Sequence, residues 1–176
     1  MPFRSRLTPL AALSAVLALA GCDSNSSNSA LDALDGTYSV AELTFDPQPG
    51  ALDDVDVNAR LRASATRLQI FGDDGDVLFQ SQFDDASGSR RTNLTATATR
   101  GRVSFTAVTV QDEQELADLF LPRQFTLTYN AESRASDLSG TISLNDVDLE
   151  SFDPEQYGGL PPVDGTLRVR FTPVAD

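Results

Sequence analysis

Leu68-Gln69-Ile70-Phe71-Gly72-Asp73-Asp74-Gly75-Asp76-Val77-Leu78-Phe79-Gln80 is the stretch whose reading decides the fold. Two apolar runs flank a block built only of Gly and Asp. Gly reaches left-handed backbone without strain and Asp bonds its own backbone in turns, so the chain reverses there. The pattern predicts a β-hairpin with Asp74-Gly75 at its turn and positive φ at the glycine. The competing reading is a calcium loop built on Asp73, Asp74 and Asp76. Calcium wants six to eight oxygens, and counting from Asp73 puts the twelfth position at Asp84, which would turn the Val77–Phe79 run into loop. The hairpin is the expectation.

Outward from the hairpin the period stays at two, with turn residues between the runs. Gly36-Thr37-Tyr38-Ser39-Val40 runs on to Phe45 with a change of phase near Ala41, which predicts a bulge. A second strand is expected over about 55–63, with Val57, Ala59 and Leu61 on one face. Leu94, Ala96 and Ala98 alternate with threonines, and Val103, Phe105 and Ala107 follow Arg100-Gly101. Phe125, Leu127 and Tyr129, then Ile142 and Leu144, then Leu167, Val169 and Phe171 complete about eight or nine short strands. One helix interrupts them. Asp112 with Glu115 resembles a capping box, Pro122 ends the segment, and Leu116, Leu119 and Phe120 share a face. That stripe is expected to pack on the sheet; the sharper reading is a lid over a barrel mouth. Residues 149–163 form the longest irregular loop. Asp35-Gly36-Thr37, Ser139-Gly140-Thr141 and Asp164-Gly165-Thr166 repeat unevenly, as turn glycines leading into strands.

An all-β chain must protect its edges, and closure into a barrel does so completely. The expected architecture is an antiparallel up-and-down barrel with one short helix, and a β-sandwich is the alternative. The layout resembles the lipocalin-like barrels, which open with a Gly-x-Trp strand whose Trp packs under an Arg of the last strand. Gly36-Thr37-Tyr38 stands in that place, with Arg168 or Arg170 to supply the Arg. The sequence has no Trp, and its helix lies between strands instead of after the last one.

The N-terminus carries an address. Arg4 and Arg6 precede an apolar run over 10–20, too short to span a bilayer but right for a signal peptide. It ends in Leu19-Ala20-Gly21-Cys22, followed by Asp23-Ser24-Asn25-Ser26-Ser27-Asn28-Ser29. This resembles the lipobox of bacterial lipoproteins. The resemblance implies that Cys22 receives a diacylglyceryl group and becomes the mature N-terminus. The expected organisation is a signal peptide over 1–21, a lipidated tether over 22–33 and a single β domain over 34–176. Localisation follows: the bacterial cell envelope, lipid-anchored to the outer or the inner membrane. A tether of that length reaches roughly 20 Å.

Charge narrows the function. With 26 acidic and 13 basic residues the net charge is −13, and every basic residue is Arg. Phosphate backbones are repelled, so nucleic acid is not an expected partner. The absence of His removes Ser–His and Cys–His catalysis, and one Cys allows no internal disulfide. Lysine-free, Asp-rich composition resembles that of high-GC halophiles, which implies a densely hydrated carboxylate surface; codon bias with an ordinary acidic surface is the equal alternative. Asp146, Asp148 and Glu150 would share one face of an extended segment and form the best metal candidate. A charge run is ordinarily a solvated face, so no metal site and no cofactor are expected. The reading is a non-enzymatic module that binds a hydrophobic or amphipathic small molecule or an envelope protein. Structural or assembly lipoprotein comes second and carboxylate-based hydrolase third. An apolar pocket near or above about 300 Å³ would favour the binder, and a filled barrel the structural role.

Overall fold

The computed structural model describes residues 30–175 apart from 49, 51, 86, 87, 134 and 135. The expected signal peptide, Cys22 and most of the expected tether lie outside the described residues. Leu31, at the end of the predicted tether, is buried in the core beside Leu34.

The elements in order are β1 (Gly36–Gln48), β2 (Val55–Asp56), a 3-10 turn (Asn58–Arg60), β3 (Arg67–Ile70), β4 (Asp76–Ser81), β5 (Arg90–Thr99), β6 (Arg102–Ala107), α1 (Val110–Ala117), β7 (Gln124–Thr128), β8 (Leu138–Val147), α2 (Leu149–Phe152), α3 (Pro154–Tyr157) and β9 (Val163–Pro173). Each strand from β3 to β9 pairs antiparallel with the next, and β1 pairs with both β3 and β9. The result is a closed eight-stranded up-and-down barrel of lipocalin-like layout, with β2 as a short ninth strand against β1. The continuous sheet excludes the sandwich. Closure runs through Val40↔Phe171, Leu43↔Val169 and Phe45↔Leu167, with the register jumping between Val40 and Glu42, so the bulge at Ala41 is present.

An eight-stranded barrel is just wide enough for its own side chains to fill. Here Phe79 packs edge-on to Phe171 with ring centroids 5.9 Å apart, and Phe105 stacks on Phe125 at 5.1 Å. Val103, Leu127, Leu138 and Leu167 are fully buried around them. The barrel's middle is a packed core.

Several sequence expectations need correction. The second strand stops at Asp56, because Asp56 accepts the Ala59 N–H at 3.1 Å and the chain turns into the 3-10 segment. Val57 and Leu61 are buried as expected, whereas Ala59 is exposed. The capping box begins earlier, at Thr109, with Asp112 as its third helical residue. The loop over 149–163 holds α2 and α3, capped by Asp148 and Asp153, with Pro154 opening the second. Gly140 and Gly165 lie inside β8 and β9 and are not turn residues. Arg168 and Arg170 point outward because Leu167, Val169 and Phe171 take the inward positions. Tyr38 points inward and donates to the Leu34 carbonyl at 3.0 Å. Arg168 instead binds Glu42, Asp46 and Asp54 on the outer wall.

The hairpin is a four-residue loop. Phe71 N–H bonds the Asp76 carbonyl at 2.9 Å, and positive φ falls on Gly75 alone within it. The connections from β5 to β6 and from β7 to β8 lie at this end too. The connections β1 to β3, β4 to β5, β6 to β7 and β8 to β9 emerge at the other end.

Candidate functional site

These four connections surround a cleft of about 570 Å³ at that end of the barrel. One wall is the end of the β6–β7 connection, from Ala117 to Pro122. The facing wall is the end of β8 and the start of α2, from Leu144 to Asp148. The cleft exists because β7 and β8 part. Their ladder holds one pair, Thr128↔Ser139. Continued in register, it would set Leu121 opposite Asp146 and Pro122 opposite Asn145. Those residues are the two walls instead. Beyond Gly140, β8 pairs with β9 alone.

Local chemistry explains the parting on both sides. Pro122 has no N–H to give a ladder. Ahead of it, the Leu121 N–H reaches back to the Leu116 carbonyl at 3.0 Å, and the Phe120 N–H to Ala117 at 2.9 Å. These are the paired bonds of a Schellman helix ending, with Phe120 at the left-handed position that glycine ordinarily takes. Its φ is 59°. Opposite, the β8–β9 register shifts between Leu144 and Val147, and Asp146 absorbs the bulge at φ 54°. Phe120 and Asp146 are the non-glycine residues with positive φ among the described residues, and both line the cleft.

The floor is aromatic. The half-buried Phe120 ring packs edge-on to Phe45 of the core at 5.4 Å and against Phe152 of α2 at 4.9 Å. Phe83, Leu121, Leu144 and Val147 extend the apolar lining. Arg60 lies 4.7 Å over the Phe152 ring, donates to the Phe152 carbonyl and stands 3.7 Å from Asp85. Arg90 lies 5.0 Å over Phe83 and pairs with Asp118. Both guanidiniums are thus built into the walls as cation–π braces. Asp146 and Asp148 add two carboxylates on the other side. Hydrogen bonds from the Ser151 hydroxyl at 2.6 Å and the Ser151 N–H at 3.2 Å hold Asp148 below the usual carboxylate range. A more polar depression lies beside the cleft, on the outer side of α1 between Arg90 and Val110.

The acidic groups singled out in the sequence do not converge. Asp148 caps α2, and Glu150 accepts the Gly159 N–H at 3.2 Å, so neither sits with Asp146 on one strand face. Among the described residues, no three Cys, Asp or Glu side chains are grouped as a metal site. The stripe of α1 splits: Leu116 and Leu119 are buried in the core, whereas Phe120 leaves the helix to floor the cleft. Phe83 and Phe152 were not singled out by sequence reasoning. Both are aromatics inside Asp-rich loops, which was the available signal. No family model, curated protein or solved structure matches the chain. No helix among the described residues is long and apolar enough to cross a membrane.

Proposed function

We propose that the protein is a lipid-anchored lipoprotein of the bacterial cell envelope whose barrel is a non-enzymatic binding module. The cleft between β7 and β8 would receive an apolar or amphipathic guest, either a small molecule or part of an envelope protein. The observation that carries this reading is the pair of left-handed residues, Phe120 and Asp146, that line one cleft. Each such conformation costs about 1–3 kcal/mol and persists where a site must hold a set shape. Here both strained residues keep open a cleft with an apolar floor, well above the volume a small ligand needs.

The anchor rests on Leu19-Ala20-Gly21-Cys22 and the polar residues after it. The non-enzymatic part rests on the absence of His and on the place of the single Cys at the lipobox. The filled barrel interior supports a second reading, a structural lipoprotein acting through its surface. A direct test titrates the full chain in lipid nanodiscs with the apolar fluorophore N-phenyl-1-naphthylamine, against empty nanodiscs. Saturable binding that is lost in Leu144→Glu is expected. Fluorescence no different from empty nanodiscs, together with no binding of an extended peptide, would leave the structural reading. For the anchor, Cys22→Ser is expected to block processing, and a variant that still matures and partitions with membranes would refute it.

A further inference from the structure

We infer that the guest of the cleft is an extended polypeptide segment, added as a strand beside β8 and carrying apolar and basic residues in alternation. This rests on the binding reading above and names its ligand.

The free edge is the first argument. From Gly140 to Val147, β8 is laddered to β9 on one side only. Half of the backbone N–H and C=O groups of such a strand point away from its one partner, and an unpaired edge is a template for another strand. Leu144 to Asp148 line the cleft as consecutive residues, so their backbone is the wall. The regular part of the edge, Thr141 to Leu144, spans about 14 Å at about 3.4 Å per residue before the bulge at Asp146, which sets an added segment of four or five residues.

Charge and alternation give its composition. Successive side chains of a strand point to opposite faces. One face of an added strand would meet Phe120, Leu121 and Leu144. The other would pass the exposed Asp146 and Asp148. Arg60 and Arg90 are already engaged by Asp85, Asp118 and the Phe rings, so they do not offer an anion a free partner. The chain contains one strand of the same design. In β9, Leu167, Val169 and Phe171 point inward, and Arg168 reaches Asp54 at 2.5 Å and Glu42 at 3.3 Å on the outside. A strand with that alternation already lies against β8 on its other edge.

The test uses the full chain in nanodiscs of zwitterionic lipid and a dye-labelled, end-capped peptide Leu-Arg-Val-Arg-Phe, read by fluorescence anisotropy. Saturable binding is expected. A peptide N-methylated at alternate amides, which keeps its side chains but loses backbone donors, should bind at least tenfold more weakly. Glu in place of both Arg should weaken it as much. Asp146→Asn with Asp148→Asn should weaken the parent peptide several-fold at unchanged melting temperature, because Asn keeps both the left-handed conformation and the helix cap. Equal binding of the N-methylated peptide would overturn strand addition. Binding of the naphthylamine without any peptide would overturn the inference and leave the binding reading standing; binding of neither would remove both. A concentration-dependent dimer by light scattering, blocked by the peptide, would make a second copy the occupant and overturn the foreign partner.

Discussion

Phe120 shows how a single backbone angle shapes the molecule. A bulky side chain at φ 59° is an outlier, held by the helix ending behind it and by two ring contacts ahead. Two substitutions separate strain from packing. Phe120→Ala and Phe120→Gly both lose the ring, but only glycine occupies left-handed backbone freely. Phe120→Gly should therefore be more stable than Phe120→Ala by about 1 kcal/mol in denaturant titration, the reverse of the order inside a helix. Equal stabilities would mean that the angle is not strained. Tyr38 supplies a second residue-scale test. Burial, assisted by the nearby Asp35 charge, raises its hydroxyl to about 12. In the unfolded chain a tyrosine ionises near pH 10, so between about 10 and 12 only the unfolded state loses the proton. Tyr38's contribution to stability is complete below about pH 10 and declines as pH rises towards 12. Tyr38→Phe should be less stable at neutral pH, where it lacks the bond to Leu34, and the gap should narrow across that window. A constant gap would contradict the assigned shift.

At the scale of elements, a buried carboxylate helps hold α1 to the barrel, beside the Thr92 hydroxyl's bond to Glu115 and the burial of Leu116. Asp112 accepts from Asn93 N–H of β5 at 2.7 Å and from the Thr109 N–H at 2.9 Å and hydroxyl at 2.6 Å. Burial works against its ionised form, yet these hydrogen bonds overcome that and hold it below the usual carboxylate range. The stability it contributes is present above the unfolded value near pH 4 and is lost as pH falls through the folded one. Asp112→Ala should cost about 1–3 kcal/mol at pH 7, by leaving the Asn93 N–H without its partner and breaking the cap. The loss should shrink on acidification; an effect independent of pH down to about 3 would show that the charge is irrelevant. The sequence made Asp112 visible as a cap residue but put it three positions from its place. The bond to Asn93 joins residues distant in the chain, and no local pattern encodes it. The strands were far easier to read, because alternation such as Leu94, Ala96 and Ala98 is itself the record of one face buried and one exposed. The parting of β7 from β8 had no such record. It depends on left-handed backbone at Phe120 and Asp146, where no glycine marks the spot.

For the molecule as a whole, long-range charge competes with local pairing. A net charge of −13 makes the folded state repel itself, while its ion pairs are mostly exposed. Exposed pairs contribute about 0–1 kcal/mol each and are screened together with the repulsion. Salt therefore removes two terms of opposite sign, and the excess of 26 acidic over 13 basic residues decides the balance. Screening shortens from about 10 Å at 0.1 M to about 3 Å at 1 M salt. Over that range the repulsion among the Asp-rich loops, from Asp53-Asp54 through Asp84-Asp85 to Asp146 and Asp148, should fall more than the pairing does. The melting temperature should then rise by a few degrees, since about 1 kcal/mol corresponds to about 2–4 °C for a chain of this size. Sodium chloride is the salt to use, because sulfate would also strengthen apolar burial. The same titration on Arg168→Gln isolates the pairing side. Without Arg168 the outer-wall carboxylates Glu42, Asp46 and Asp54 face each other unopposed, so the variant should gain more from salt than the parent does. A melting temperature that falls with salt in the parent would mean that the ion pairs outweigh the net charge.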